Sequence, residues 1–358
     1  MASSRGPESS FPPSRLTRRQ VLAWTGGLAL AGLVGPFAAA QEEGVPPGAD
    51  RPPGSTRIAF GSCLRRSAGG EILDAVVAKR PDLFLWLGDN IYADTEDLAV
   101  KRATYAVLGA NPRFQRLVQA CPNHAMWDDH DYGRDNIGDT YAQRDASQVA
   151  FCDFWRVAAD DPRRQRPGTY HSVVSGAGEQ AVRIIMLDGR YFRGVREDPR
   201  GTMLGAAQWA WLAEELRKPA RLRVICSGVQ VLAMPTGGGL ECWNQQPRER
   251  QRLFDLVKET RAEGVLFLSG DRHFAELSRL PGALGYDAWD LTSSSLDQMT
   301  WPTPNQLGVG PQVRQNNFGM LTIDWRGADP RIALEIVDGR GVVVLTQVVA
   351  RSSLAAPA

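Results

Sequence analysis

From Arg57 onward, apolar residues fall into two alternating patterns: short unbroken runs that suit buried strands, and longer stretches with apolar positions at helical spacing. "RIAFGSC" (Arg57–Cys63) predicts a buried strand that ends at a polar turn, and "GEILDAVVAKR" (Gly70–Arg80) a helix. "DLFLWLGD" (Asp82–Asp89) and "NHAMWDD" (Asn123–Asp129) predict two further strands, and "SQVAFCDFWRVA" (Ser147–Ala158) a helix. "AVRIIMLDGRYFR" (Ala181–Arg193) reads as a strand and turn, followed by an amphipathic helix over "AAQWAWLAEELRK" (Ala206–Lys218). Strand, helix and strand recur at Leu222–Gly228, Pro247–Gly264 and Val265–His273. The C-terminal part changes character, with three strands at Phe318–Trp325, Arg331–Asp338 and Gly341–Val349 and little helix. This alternation implies an α/β fold with helices on the sheet faces, the final strands extending a sheet.

The first 40 residues follow another logic. "TRRQVL" (Thr17–Leu22) precedes an apolar, Gly/Ala-rich run that ends in an A-x-A site at Ala38–Ala40. A basic start, a short apolar core and small residues at the end predict a secretory signal peptide over residues 1–40, cleaved after Ala40. Adjacent Arg18 and Arg19 suit the twin-arginine export machinery, and so the periplasm or secretion. The other reading is a membrane anchor, but the run is short and glycine-rich for a span of roughly 20 apolar residues. "QEEGVPPGADRPPGST" (Gln41–Thr56) reads as a Pro/Gly linker, which leaves residues 57–350 as the folded domain.

With 358 residues, 43% of them hydrophobic, the chain can bury a large core. The formal charge of +1 becomes −2 once Arg5, Arg15, Arg18, Arg19 and Glu8 are removed, leaving 37 basic and 39 acidic residues. That balance suggests no specific nucleic-acid binding. No later segment is apolar enough to span a membrane, so the mature chain is expected to be soluble. Cys63, Cys121, Cys152, Cys226 and Cys242 include no CxxC pair, and an odd count leaves at least one thiol unpaired. Four of them allow two disulfides in three connectivities, and the sequence does not choose.

The candidate chemistry lies where strands end. "IAFGSC" runs into Cys63, "FLWLGDNIY" into Asp89 and Tyr92, "AMWDDHD" into Asp128–Asp131, and "LFLSGDRH" into Asp271 and His273. Each has an ordinary explanation alone: a turn or helix cap for Asp89, a small buried hydrophobe for Cys63, a core histidine for His273, a solvated loop for Asp128–Asp131. Ligands in open α/β sheets bind beyond the carboxyl ends of the strands, so four such ends together point to one site. Crowded carboxylates are tolerable out of water when cations sit among them. Oxygen donors suit Ca2+, Mg2+ or ferric iron, while a thiolate and a phenolate beside them suit iron. With only His124, His130, His171 and His273 available, a histidine-rich dizinc or dimanganese centre is hard to build.

The ordered motifs "FGSC", "GDNIYAD", "WDDHDYG", "LDGRYFR", "GVQVL" and "FLSGDRHFAELSR" resemble those of the PhoD-type alkaline phosphatases, a branch of the calcineurin-like metallophosphoesterases. The resemblance covers most of Arg57–Val349. It implies two packed mixed β-sheets flanked by helices, a four-layer αββα arrangement, and a centre of Fe3+ with Ca2+. Carried over, Cys63, Asp89 and Tyr92 hold the iron, Asp89 bridges to calcium, and Asp271, His273 and one or both of Asp128 and Asp129 complete the shell. Relatives tend to show Asn-Asp after "WDDHDYG", whereas Asp135–Asn136 stand in reverse order here, which leaves Asn136 as the matching metal ligand. His130 falls on the superfamily's catalytic histidine and Asp131 on the partner that orients it. Asn90 and Gln230 are substrate-binding candidates, Gln230 standing where many superfamily members place a ligand histidine.

The expected reaction is hydrolysis of phosphate mono- and/or diesters, of small molecules, lipids or nucleotides, by in-line attack of a metal-bound hydroxide. His130 would protonate the leaving alkoxide. Arg190 would clamp the non-bridging oxygens, or else pair with Asp188 at the surface. Thr236–Gln245 and Ser293–Asn305 are expected pocket walls, with Trp243 and Trp301 available to stack on a leaving group. A serine esterase is disfavoured, since no G-x-S-x-G occurs. A non-catalytic calcium-binding periplasmic protein would have no need for Cys63, Tyr92 and His130 together.

Overall fold

A computed structural model describes residues 52, 54–67, 69–195, 201–235 and 241–357. The signal peptide, most of the linker and part of the expected wall at residues 236–245 lie outside the described residues. The elements run β1 (Ser55–Gly61), α1 (Ile72–Ala78), β2 (Leu83–Leu87), α2 (Leu98–Ala110), α3 (Pro112–Ala120), β3 (Asn123–Met126), α4 (Asp129–Tyr132) and α5 (Arg144–Phe154). They continue as β4 (His171–Ser175), β5 (Val182–Met186), α6 (Gly205–Arg217), β6 (Leu222–Ser227), α7 (Pro247–Glu259), β7 (Val265–Ser269), β8 (Ala275–Leu280) and β9 (Ala288–Ser293). β10 (Asn317–Asp324), β11 (Arg331–Asp338) and β12 (Val343–Ala350) close the chain.

These strands form two six-stranded mixed sheets, ordered β12-β11-β10-β1-β2-β3 and β4-β5-β6-β7-β9-β8. β1, β2 and β3 are parallel, and the three C-terminal strands join them antiparallel through β10, as expected of strands that extend a sheet. β1 starts inside the stretch read as linker, because Ser55 already pairs with Asp324. Strand alternation divides the first sheet's residues between two cores. Ile58, Phe60, Leu85, Leu87, Leu321 and Ile323 pack with the second sheet, which α6 and α7 cover through Trp209, Leu212, Leu253 and Phe254. Ala59, Phe84, Trp86, Ala125 and Trp127 face the other way, onto α1, α2, α3 and α5. The result is the four-layer αββα arrangement.

Six elements lack a counterpart in the sequence pattern, among them the single turn α4, which begins inside the stretch read as a strand. α2 and α3 are short on unbroken apolar spacing, but each is capped: Asp97 accepts the N–H groups of Ala99 and Val100, and Asn111 accepts that of Arg113 with Pro112 at the first turn. β8 and β9 bury Ser278, Asp290, Thr292 and Ser293, which breaks the apolar run, and β4 is a partly exposed edge strand. Neither of the two disulfides that the cysteine count allows is present: all five cysteines are free, and each is buried. Among the described residues no helix is long and apolar enough to cross a membrane.

Candidate metal centre

Cys63, Asp89, Asp271 and His273 follow parallel strands β1, β2 and β7, and all four take left-handed backbone angles, with φ of 62°, 51°, 71° and 56°. Residues with a Cβ avoid this region, and holding one there costs on the order of 1–3 kcal/mol. Glycines let the strand ends approach. A Cβ on Gly88 would lie 2.5 Å from Asp128 Cβ, one on Gly228 2.5 Å from Asp128 Oδ1, and one on Gly270 2.5 Å from Ser62 Oγ.

Three overlapping groups of donors result, each with its ligand atoms within 4.8 Å: Cys63, Asp89 and His273; Asp89, Asp129 and His130; Asp128, Asp129 and Asp271. Asp89 joins the first two and Asp129 the last two. Tyr92 completes the first group, its hydroxyl 3.2 Å from both Asp89 Oδ2 and His273 Nε2, while Cys63 Sγ lies 3.4 Å from Asp89 Oδ2. Ser294 supports it from behind, with Oγ 3.3 Å from Cys63 Sγ and accepting the N–H of His273 at 2.8 Å.

The electrostatics show what this arrangement lacks on its own. Burial, then the charges of Asp129, Asp128, Asp131 and Asp271, push the Asp89 carboxyl well above the usual range. Burial, then Glu241, Asp128 and Asp129, do the same to Asp271 against the pull of Arg190. Burial followed by Asp89 also raises Cys63 and Tyr92. Burial and His130 lower His273 to about 4, which leaves a neutral imidazole, the form that binds metals. Asp128 Oδ2 and Asn90 Oδ1 are buried without a hydrogen-bond partner, and Asp129 Oδ1 accepts no hydrogen bond although Arg190 Nη2 lies 3.4 Å away. A buried excess of anionic donors with orphaned oxygens fits bound cations, and the thiol, phenol, carboxylate and imidazole set fits iron beside a harder ion.

His130 lies at the edge of this cluster. Its backbone N–H donates to Asp89 Oδ1 at 3.3 Å, its ring stacks on Tyr92 at 4.1 Å between centroids, and Nδ1 bonds Asp94 Oδ1 at 2.6 Å. Burial opposes protonation, but the Asp94 hydrogen bond and the charge of Asp129 outweigh it, so the pKa is raised. Removing Asp94 removes a raising contribution. Asp94→Asn is therefore expected to move the alkaline limb of the kcat profile, measured on an alkyl phosphate ester, to lower pH. An unmoved limb counts against proton donation by this ring.

Several expected roles change once the side chains are placed. Asp131 does not orient His130: its carboxylate accepts the N–H of Asp128 at 2.6 Å and both N–H and Nδ2 of Asn90, so it caps α4 instead. Arg190 is fully buried rather than open to substrate, and its guanidinium donates to Asp128 and Glu241; Asp188 takes only its backbone N–H. Asn136 turns its side-chain amide to Asp135 at 2.7 Å and reaches the cluster through its backbone N–H, which donates to Asp129 Oδ2 at 2.6 Å. Gln230 donates to buried Glu276 at 2.5 Å. Trp243 is buried and bonded to Ser227, so it cannot stack on a ligand, whereas Trp301 is 75% exposed on the segment where Thr300 N–H meets the carbonyl of His273. Asp94, Glu241 and Ser294 are the neighbours that sequence reasoning missed. Asp94 closes the quoted "GDNIYAD", and Glu241 and Ser294 lie within the two expected wall stretches, Thr236–Gln245 and Ser293–Asn305, so each had a signal in view although none was singled out.

The sequence profile of the PhoD-like phosphatases matches residues 58–347. Among solved structures, that of PhoD is 17% identical with a TM-score of 0.67, over 85% of this chain and 69% of that one. A purple acid phosphatase isolated from yellow lupin (Lupinus luteus) seeds is 13% identical with a TM-score of 0.62, over 83% of this chain and 54% of that one. A dimetal phosphatase from Danio rerio is 12% identical with a TM-score of 0.51, over 83% and 99%. At these identities the likeness shows a shared fold alone. No curated protein sequence matches the chain.

Proposed function

Because the chain belongs to the PhoD-like phosphatase family, and so is a metal-dependent phosphoesterase, we propose that it is an exported enzyme that hydrolyses phosphate mono- or diesters at a centre of Fe3+ and Ca2+. One observation carries the reading: Cys63, Asp89, Tyr92 and His273, from three strand ends, present a thiol, carboxyl, phenol and imidazole to one another. Cys63, Tyr92, His273 and Asp89 would hold the iron, and Asp89, Asp129, Asp128 and Asp271 the calcium. Bound there, the ions supply charge to neutralise the phosphate oxygens and the acidity that makes a water nucleophilic near neutral pH.

The remaining steps belong to the chain's own side chains. His130, protonated and held by Asp94 and the Tyr92 ring, gives its Nε2 proton to the departing alkoxide. Asn90, fixed by Asp131 and the carbonyl of Met126, keeps its free Oδ1 for a hydroxyl or water at the ester. Trp301 offers an exposed ring beside the His273 loop for a planar leaving group. Export rests on Arg18–Arg19, the apolar run and Ala38–Ala40, with twin-arginine passage carrying a folded, metal-loaded protein.

The test uses p-nitrophenyl phosphate, bis(p-nitrophenyl) phosphate and metal analysis on one preparation. The purified protein is expected to contain iron and calcium, to turn over at least one ester, and to lose turnover on chelation. Full turnover after both metals fall far below one per chain overturns the reading.

A further inference from the structure

Lys101, on α2, is the least expected charge in the fold: its side chain is 0% exposed. Lysine is almost never fully buried without partners, since desolvating an ammonium is costly. Here it has three: Nζ donates to the carbonyl of Asp131 at 2.9 Å, the carbonyl of Tyr132 at 2.5 Å and Ser147 Oγ on α5 at 2.9 Å. Burial pulls its pKa down to about 8 against the charges of Asp131 and Asp94, so at pH 7 it keeps all three protons. Every ammonium proton therefore has an acceptor, and none of the acceptors is a carboxylate.

The acceptors matter because of where they lie. α4 is a single turn, and a helix end leaves its last carbonyls without internal partners. The carbonyls of Asp128 and Asp129 take the N–H groups of Tyr132 and Gly133, and that of His130 takes the N–H of Ala93. Those of Asp131 and Tyr132 are left for Lys101, a cation at the C-terminal end of the turn where the helix dipole favours one. One ammonium thus ties the turn that carries Asp129 and His130 to two long helices, α2 and α5.

We propose that Lys101 is a positioning residue for proton donation by His130: its ammonium fixes α4 so that the imidazole, bonded to Asp94 and stacked on Tyr92, stands at the leaving oxygen. The inference rests on His130 as the acid of the proposed reaction. Misplacement by about 1 Å costs on the order of a hundredfold in such a step. An alkoxide needs the proton and a p-nitrophenolate hardly does, so a displaced His130 slows the two esters unequally.

The experiment compares kcat/KM for an ester with a p-nitrophenolate leaving group and for its alkyl counterpart, mono- or diester as the metal-loaded protein prefers, at pH 7. The ratio of the two rates cancels any change in the fraction of active protein. Lys101→Met is expected to slow the alkyl ester by about a hundredfold and the p-nitrophenyl ester by less than about tenfold. His130→Ala is expected to shift the ratio the same way, and the double variant to be no slower on the alkyl ester than His130→Ala alone. If His130→Ala shifts the ratio and Lys101→Met does not, Lys101 is merely structural and the inference is overturned while the acid reading stands. If His130→Ala leaves the ratio unchanged, the acid reading falls and the inference with it. Should Lys101→Met fail to accumulate, Lys101→Gln, which is uncharged and one atom too short to reach all three acceptors, is read by the same ratio, and an unchanged value overturns the proposal.

Discussion

Asp89→Asn is expected to remove metal and activity together, with kcat/KM falling by about three powers of ten or more. The carboxylate belongs to two of the three donor groups, with Oδ2 facing Cys63 and Tyr92 and Oδ1 accepting the N–H of His130. Asparagine keeps the volume and one oxygen but not the charge that would hold the proposed metals. Metal ions contribute several kcal/mol of transition-state stabilisation, and about 1.4 kcal/mol is one decade of rate. The same substitution has the opposite sign in metal-free protein. There the Asp89 carboxyl is pushed above its unfolded value by burial and four neighbouring aspartates. A raised carboxyl leaves the folded state binding more protons than the unfolded one, so stability is lost as pH rises above the unfolded pKa. Metal-free Asp89→Asn should therefore melt above the metal-free parent at pH 7, by a margin that shrinks as pH falls toward the unperturbed carboxyl range. Metal-loaded parent should melt above both. Iron retained at one per chain, or an apoprotein no more stable than its parent, tells against the bridging role.

The centre was largely legible because its donors stand at the ends of apolar runs. Cys63, Asp89, Asp128, Asp271 and His273 each follow a strand within a few residues, and parallel topology brings those ends to one edge of the sheets. What the sequence hides is which polar neighbour serves which donor. Asp131 is adjacent to His130 and looks like its partner, yet one helical turn points its carboxylate back to the N–H of Asp128. The ring finds Asp94, 36 residues earlier, because the chain between them folds back along β3. Arg190 follows a strand as the metal donors do, and nothing in "LDGRYFR" says whether the guanidinium meets solvent or buried acid. Helices α2 and α3 show only their caps, since Lys101, Arg102 and Arg116 interrupt the apolar stripe, although Lys101 points inward. β8 and β9 are hidden for a similar reason: Asp290 is buried where alternation leads one to expect an apolar residue, held by Ser269 and the N–H groups of Val231 and Leu232.

Arg190→Met is expected to cost stability rather than substrate affinity, about 3–5 kcal/mol at pH 7. The guanidinium is fully buried, donates to Asp128 and to Glu241 at 2.5 Å, and lies 3.4 Å from Asp129, so it is a counter-charge for three buried carboxylates, of which Glu241 alone also meets Arg193, at 2.6 Å. Removing one partner of a buried ionic cluster leaves charge uncompensated, and the cost is set by that charge rather than by the lost contact. Against a typical total of about 5–15 kcal/mol, this is roughly a fifth of the fold's stability or more. Asp128 is already raised to about 6, burial prevailing over Arg190, and without the arginine it rises further. The deficit should thus be largest at neutral and alkaline pH and should shrink on acidification, as the carboxyls take up protons. Arg190→Lys keeps the charge but not the planar fork that reaches Asp128 and Glu241 at once, and should fall between the two. Denaturant midpoints across pH, read beside KM on the same preparations, decide between counter-ion and phosphate clamp. A variant that unfolds at the parental midpoint but binds ester more weakly returns Arg190 to the substrate.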